Sequence, residues 1–195
     1  MIRSFHYFVL IAFALMIASL PVATRASEQN AQLSTSTALN LIYRQKYNDA
    51  LNQLEQILET EPRNTEALTY VATANLYQTL DFGRAQREFE IAFKAGGGAT
   101  FFVNHSHESM TTADVVDYCR GWLHLRRNTV EFVPIEGAHG FKLNFSDVQE
   151  FKRNRISKKA FHIKIGERNQ NFRGRSNSDV EALLIVALYN NFARN

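Results

Sequence analysis

A chain of 195 residues allows one or two packed domains, and its 45% hydrophobic and 21% charged content excludes an intrinsically disordered polymer. With a single cysteine, Cys119, no intramolecular disulfide can form. The charge is unevenly spread: residues 27–95 hold six basic and nine acidic side chains, residues 96–195 fourteen and ten. Opposite signs of this kind favour docking of the two parts on each other.

Residues 1–26 are set apart from the rest. Arg3 begins a short basic region, Phe8 to Leu20 is apolar apart from Ser19, and Thr24 and Ala26 place small residues at −3 and −1 of a cleavage point. That layout predicts a secretory signal peptide and an exported, periplasmic or secreted chain. The alternative is an uncleaved anchor, because Phe5 to Ala23 approaches the roughly 20 residues a spanning helix needs. Cys119 lies far from this run, which argues against a lipid attached there.

After a polar lead-in from Ser27 to Ser36, the periodicity becomes helical and a repeat appears. Asn40, Leu41, Tyr47, Ala50, Leu54, Glu55 and Ile57 are matched 35 positions later by Asn75, Leu76, Phe82, Ala85, Phe89, Glu90 and Ala92. Ala50 and Ala85 are small enough to let paired helices approach, with Tyr47 and Phe82 filling the space beside them. The segments starting at Tyr47 and Asp81, with Pro62 closing the first, resemble the second helix of a tetratricopeptide repeat. Neither first helix carries the Trp or Leu-Gly pair of that family. The resemblance implies two helical hairpins over 27–95, and makes Asn40, Tyr43 and Asn75 candidates for holding a protein partner. Two such units are too few to bury their own apolar faces, so a following domain, a partner or a second copy must cap them.

Gly96-Gly97-Gly98 predicts a flexible boundary. Beyond it side chains alternate with period two, the signature of half-buried strands. Strands are expected over Thr100–His107, Cys119–Arg126, Thr129–Ile135, Gly140–Phe145, Ala160–Ile165 and Asn171–Arg175, with Arg127 and Asn128 as a hairpin turn and a polar bend over Ser146–Lys159. Cys119, Gly121, Leu123 and Leu125 share one face and Arg120, Trp122, His124 and Arg126 the other. Ser178 to Glu181 reads as a capping box opening a final helix to Phe192, with Val180, Leu183, Leu184, Ala187 and Leu188 as its apolar stripe. Antiparallel strands closed by one helix, with C-x-G-x-L at Cys119 and F-H-I-K-I at Phe161, resemble the pleckstrin-homology/GRAM-like fold over 99–195. The resemblance implies an α+β chain whose β-barrel is capped by its C-terminal helix. Another small barrel with a final helix is the alternative.

Few constellations carry chemistry. His105 and His107 share a strand face about 7 Å apart, a spacing that serves a metal only with further ligands; no metal or cofactor is expected. Cys119 has no base near it in sequence and reads as a buried hydrophobe. No glycine-rich phosphate loop, G-x-S-x-G or H-E-x-x-H motif occurs, so no enzyme activity is expected. Lys152, Arg153, Arg155, Lys158 and Lys159 form a basic cluster without interleaved aromatics, which speaks against nucleic acid. Trp122 flanked by Arg120 and Arg126 has the composition of an interface anchor, or of a contact between the two halves. The leading expectation is an exported, non-enzymatic adaptor holding a protein partner; the alternative is a module binding acidic lipid through the 152–159 cluster.

Overall fold

The computed structural model describes residues 34–106, 118–137 and 139–194. The expected leader over 1–26 and His107 both lie outside the described residues. Four helices come first: α1 (Thr35–Tyr43), α2 (Tyr47–Thr60), α3 (Thr65–Thr79) and α4 (Phe82–Lys94). Seven strands follow: β1 (Ala99–Ser106), β2 (Tyr118–Leu125), β3 (Thr129–Pro134), β4 (Phe141–Asn144), β5 (Glu150–Arg153), β6 (Ala160–Ile165) and β7 (Arg168–Gly174). A last helix, α5, spans Asp179–Phe192. This is the α+β element order expected from the sequence, with one strand more. Glu150–Arg153 reads as part of a polar bend because two of its four residues are basic, yet it pairs with β6 as an edge strand.

Side chains of the preceding residue start three of the first four helices and α5. Ser34, Asn64, Asp81 and Ser178 each accept a backbone N–H three residues on. The 35-residue period extends to burial and backbone. Ala50 and Ala85, Leu54 and Phe89, and Ile57 and Ala92 are buried at equivalent places. Gln45 (φ 63°) and Leu80 (φ 55°), also 35 apart, both turn the chain in the left-handed region between paired helices.

The sheet order is β4-β3-β2-β1-β7-β6-β5, antiparallel at every pairing, and it is strongly curled. In a flat sheet β4 and β7 would lie four strand spacings apart, about 19 Å. Phe141 of β4 and Phe172 of β7 instead have ring centroids 6.2 Å apart. Phe132 and Phe161 also pack on Phe172, at 5.4 and 5.5 Å, so the rings converge inside the curl. Tyr189 of α5 touches both Phe145, just past β4, and Phe151 of β5, bridging the two edge regions.

The seam between helices and sheet has a simple metric basis. β1 pairs with β2 along its whole length but with β7 only over Val103–Ser106. Along the remaining half of that second edge, α3 takes the place of a strand. Four helical residues rise about 6 Å and two strand residues about 6.7 Å, so Thr69, Thr73 and Tyr77 fall into step with Gly98, Thr100 and Phe102. Gly98 N–H donates to Thr69 Oγ1 (3.0 Å), Thr73 Oγ1 donates to the Thr100 carbonyl (3.1 Å), and Phe102 N–H donates to the Tyr77 hydroxyl (2.8 Å). Covering an edge in this way removes a template for unwanted strand pairing. The sheet thereby caps the second hairpin.

Three expectations are corrected here. The triple glycine is a packed turn rather than a flexible break: Gly97 N–H bonds to Ala92, and a Cβ on Gly98 would fall on the Leu125 carbonyl. Trp122 and His124 lie on the face opposite Leu123, as the alternation requires, and both are 5% exposed; for Trp122 this agrees with a contact between the two halves, since Phe102 beside it packs on Tyr43 of α1. On α5, Val180 and Leu183 are about half exposed. The buried set is instead Ala182, Leu184, Ile185, Leu188, Tyr189 and Phe192 together with Glu181. Only half of the capping box forms. Glu181 N–H reaches Ser178 Oγ, while the Glu181 carboxylate turns to Ser176 N–H (2.7 Å), Ser176 Oγ (2.5 Å) and Tyr77 (3.2 Å).

Candidate functional site

The residues expected to hold a partner do not converge, and most are engaged internally. Tyr43 packs on Phe102 (5.5 Å between rings), which in turn meets Trp122 edge-on (5.4 Å). Asn75 Nδ2 donates to Glu88 (3.0 Å). Arg120 holds both oxygens of Glu136 at 3.0 and 2.9 Å, and Arg126 faces Glu66 at 3.7 Å. Asn40 is exposed on α1. Exposed ion pairs of this kind contribute little to stability, but they leave Arg120 and Arg126 less available to a ligand.

The basic cluster is different. Lys152 and Arg153 end β5, and a six-residue loop, 154–159, returns to β6, closed by Asn154 N–H on the Ala160 carbonyl (2.9 Å) and Ala160 N–H on the Ser157 carbonyl (2.9 Å). Lys152 pairs with Glu150. His162 Nε2 also meets Glu150 (2.9 Å), and its Nδ1 meets Asn154 Oδ1 (2.7 Å), which fixes the base of the loop. Lys152 first, then His162, hold the Glu150 carboxyl at about 2, well below the usual carboxylate range. Among the described residues no carboxylate pairs with Arg153, Arg155, Lys158 or Lys159. Between those cations stands Ile156, fully exposed. The sequence offered the charges; it gave no sign that the isoleucine among them would be left in water, because a lone apolar residue in a basic run reads as loop packing.

His105 and Cys119 are 14 positions apart in sequence, and register brings them together. They are directly opposite across β1 and β2, with His105 Nδ1 3.4 Å from Cys119 Sγ and Nε2 2.8 Å from Gln170 Oε1. The ring also stacks on Phe172 (4.7 Å). Both residues are buried. Among the described residues no group of three His, Cys, Asp or Glu side chains is placed to hold a metal ion. No described helix is long and apolar enough to cross a membrane.

No protein-family profile matches the chain, and no curated protein matches it in sequence. Solved structures similar to it include the N-terminal PH domain of human ARAP2, at 10% identity and a TM-score of 0.38 over 49% of this chain and 77% of that one. The inner membrane complex sub-compartment protein 3 of Toxoplasma gondii is similar at 7% identity and a TM-score of 0.40, over 60% of this chain and 85% of its own. The Slm1 PH domain, solved with inositol-4-phosphate, is similar at 14% identity and a TM-score of 0.33, over 49% and 92%.

Proposed function

We propose that the chain is a non-enzymatic binding module that docks on an anionic membrane surface through the β5–β6 hairpin. The observation that carries this reading is the pairing, on one hairpin tip, of a fully exposed Ile156 with Arg153, Arg155, Lys158 and Lys159, all without carboxylate partners among the described residues. Near an anionic bilayer each basic residue contributes about 1 kcal/mol, and transfer of an isoleucine out of water adds roughly 1.5–3 kcal/mol. Together these favour the surface by on the order of 6 kcal/mol, a partition of about 10,000-fold. A protein partner bound through Asn40, Tyr43, Asn75 and the Trp122 stripe has less support, because Tyr43, Asn75 and Trp122 are engaged inside the molecule.

In this reading the two helical hairpins are tetratricopeptide-like units serving as a scaffold for the sheet; the shared 35-residue period, burial and left-handed turn support that kinship. Export directed by residues 1–26 belongs to the same proposal.

Co-sedimentation with vesicles tests it. The mature chain is expected to bind phosphatidylserine-containing vesicles, to ignore pure phosphatidylcholine, and to dissociate as salt is raised. Arg155→Glu with Lys158→Glu is expected to weaken binding more than tenfold, and Ile156→Ser about tenfold. Equal binding to neutral vesicles, or binding indifferent to the charge reversal, would end the proposal.

A further inference from the structure

We propose that a cleft between α4, α5 and the β2–β3 turn binds a small organic anion with a flat apolar body. The cleft encloses about 430 Å³ and is lined by Phe93, Phe192, Lys94, Arg127, Glu90 and Asn191, with Gly96 contributing no side chain. Its volume falls within the roughly 300–1,000 Å³ of small-molecule sites. It shares no residue with the β5–β6 hairpin and does not rest on the membrane reading.

Its two kinds of wall specify the ligand. Phe93 and Phe192 stack face to face, with centroids 3.8 Å apart and planes 4° from parallel. Phe93, part exposed, gives the cleft its apolar wall, and Phe192, 1% exposed, backs it from α5. Lys94, in the last turn of α4, and Arg127, at the tip of the β2–β3 turn, are exposed. Neither has a carboxylate partner among the described residues. The carboxylate of Glu90 also lines the cleft, yet its Oε1 is taken by neutral amides: Gln86 Nε2 at 3.0 Å and Asn191 Nδ2 at 3.4 Å. Two cations and one carboxylate therefore line the cleft, leaving it one net positive charge, with Glu90 Oε1 held by amides rather than by either cation. A carboxylate, sulfonate or phosphate on a planar group satisfies both walls at once: the anion meets Lys94 and Arg127, with the guanidinium able to engage it through two N–H groups, and the body lies against the Phe93 ring.

The probe is 8-anilinonaphthalene-1-sulfonate, titrated by fluorescence into the folded full chain, with uncharged N-phenyl-1-naphthylamine as its counterpart. One site per chain is expected, with the sulfonate bound at least tenfold more tightly than the amine. Lys94→Glu with Arg127→Glu is expected to weaken the sulfonate about tenfold or more and leave the amine unchanged. Both side chains are exposed, so the variant should melt with the parent; if it does not, Lys94→Gln with Arg127→Gln serves, with a smaller loss. Arg155→Glu with Lys158→Glu is expected to change neither affinity. Equal affinity for the two probes, absence of sulfonate binding, or a loss in the hairpin variant matching that in the cleft variant overturns the assignment.

Discussion

Offset by 35, Ser34, Ala38 and Ile42 of the first hairpin correspond to Thr69, Thr73 and Tyr77 of the second. Ala38 and Ile42 are fully buried and apolar. Their counterparts are buried too, but each carries a hydroxyl, and each hydroxyl meets a backbone group of β1 or of the turn leading into it. One period therefore supports two jobs. Helix-on-helix packing needs only apolar volume, whereas a helix replacing a strand must supply hydrogen-bond partners at the strand's spacing, since an unpaired buried backbone group costs about 1–3 kcal/mol. Tyr77 has the most at stake: it accepts from Phe102, donates to Glu181 and lies under the Arg175 guanidinium, 5.6 Å from its ring centre.

Giving α3 the residue that α1 carries is the strongest way to break this contrast. Tyr77→Ile removes the acceptor for Phe102 N–H, the donor to Glu181 and much ring volume, and is expected to lower unfolding free energy by about 3–5 kcal/mol in urea titrations. A loss under 1 kcal/mol would mean that the hydroxyl ladder is incidental.

Two titrating groups at the same seam should give opposite pH dependences. Burial first, then Arg126, lowers the His124 pKa from 6.5 to about 4, beneath its bond to Thr100 Oγ1. Protons then bind the unfolded chain first, so this part of the stability is full above pH 6.5 and is lost as pH falls toward 4, about 3 kcal/mol in all. Glu181 behaves in the reverse sense. Burial raises its carboxyl above the ordinary 4.5 against the opposing bonds from Ser176. The folded chain binds that proton first, so the contribution is full below pH 4.5 and fades as pH rises through the raised value. His124→Gln should abolish the acid loss and expose the Glu181 slope, and Glu181→Gln should leave the His124 slope alone. Denaturation midpoints between pH 4 and 8 separate them; an unchanged acid loss in His124→Gln would refute the assignment.

The smallest effect concerns what the hairpins share. Gln45 and Leu80 both hold positive φ without being glycine. Gln45→Gly and Leu80→Gly should each stabilise by about 0.5–1 kcal/mol, by relieving the left-handed penalty, and by similar amounts, because the turn repeats. Opposite signs in melting experiments would show that the turns differ.

Much of the architecture was legible from periodicity alone. The 35-residue matches fixed the hairpins, and alternation through Cys119–Leu125 and Phe161–Ile165 placed strands within a residue or two of their ends. β5 was missed because an edge strand with one exposed face needs little apolar content, and Lys152 and Arg153 obscured Phe151. The stripe on α5 was misread because Val180 and Leu183 fit helical spacing as well as the buried set does. The charges of the candidate hairpin were visible from the outset, whereas Ile156 as its exposed tip was not.

Local order was thus set by the chain itself: spacing of apolar residues decides helix or strand, and capping residues decide where helices begin. What the folded molecule alone decided was which faces meet. Trp122 is buried against Phe102, which packs in turn on Tyr43 of α1, and His124 is buried with its ring bonded to Thr100; Cys119 finds His105 because the register of two strands sets them opposite. Lys94 and Arg127 share a cleft for the same reason. Cys119 and His105 are 14 positions apart and Tyr77 and Glu181, which meet at the same seam, 104, and no pattern confined to a single helix or strand records which distant face will cover it.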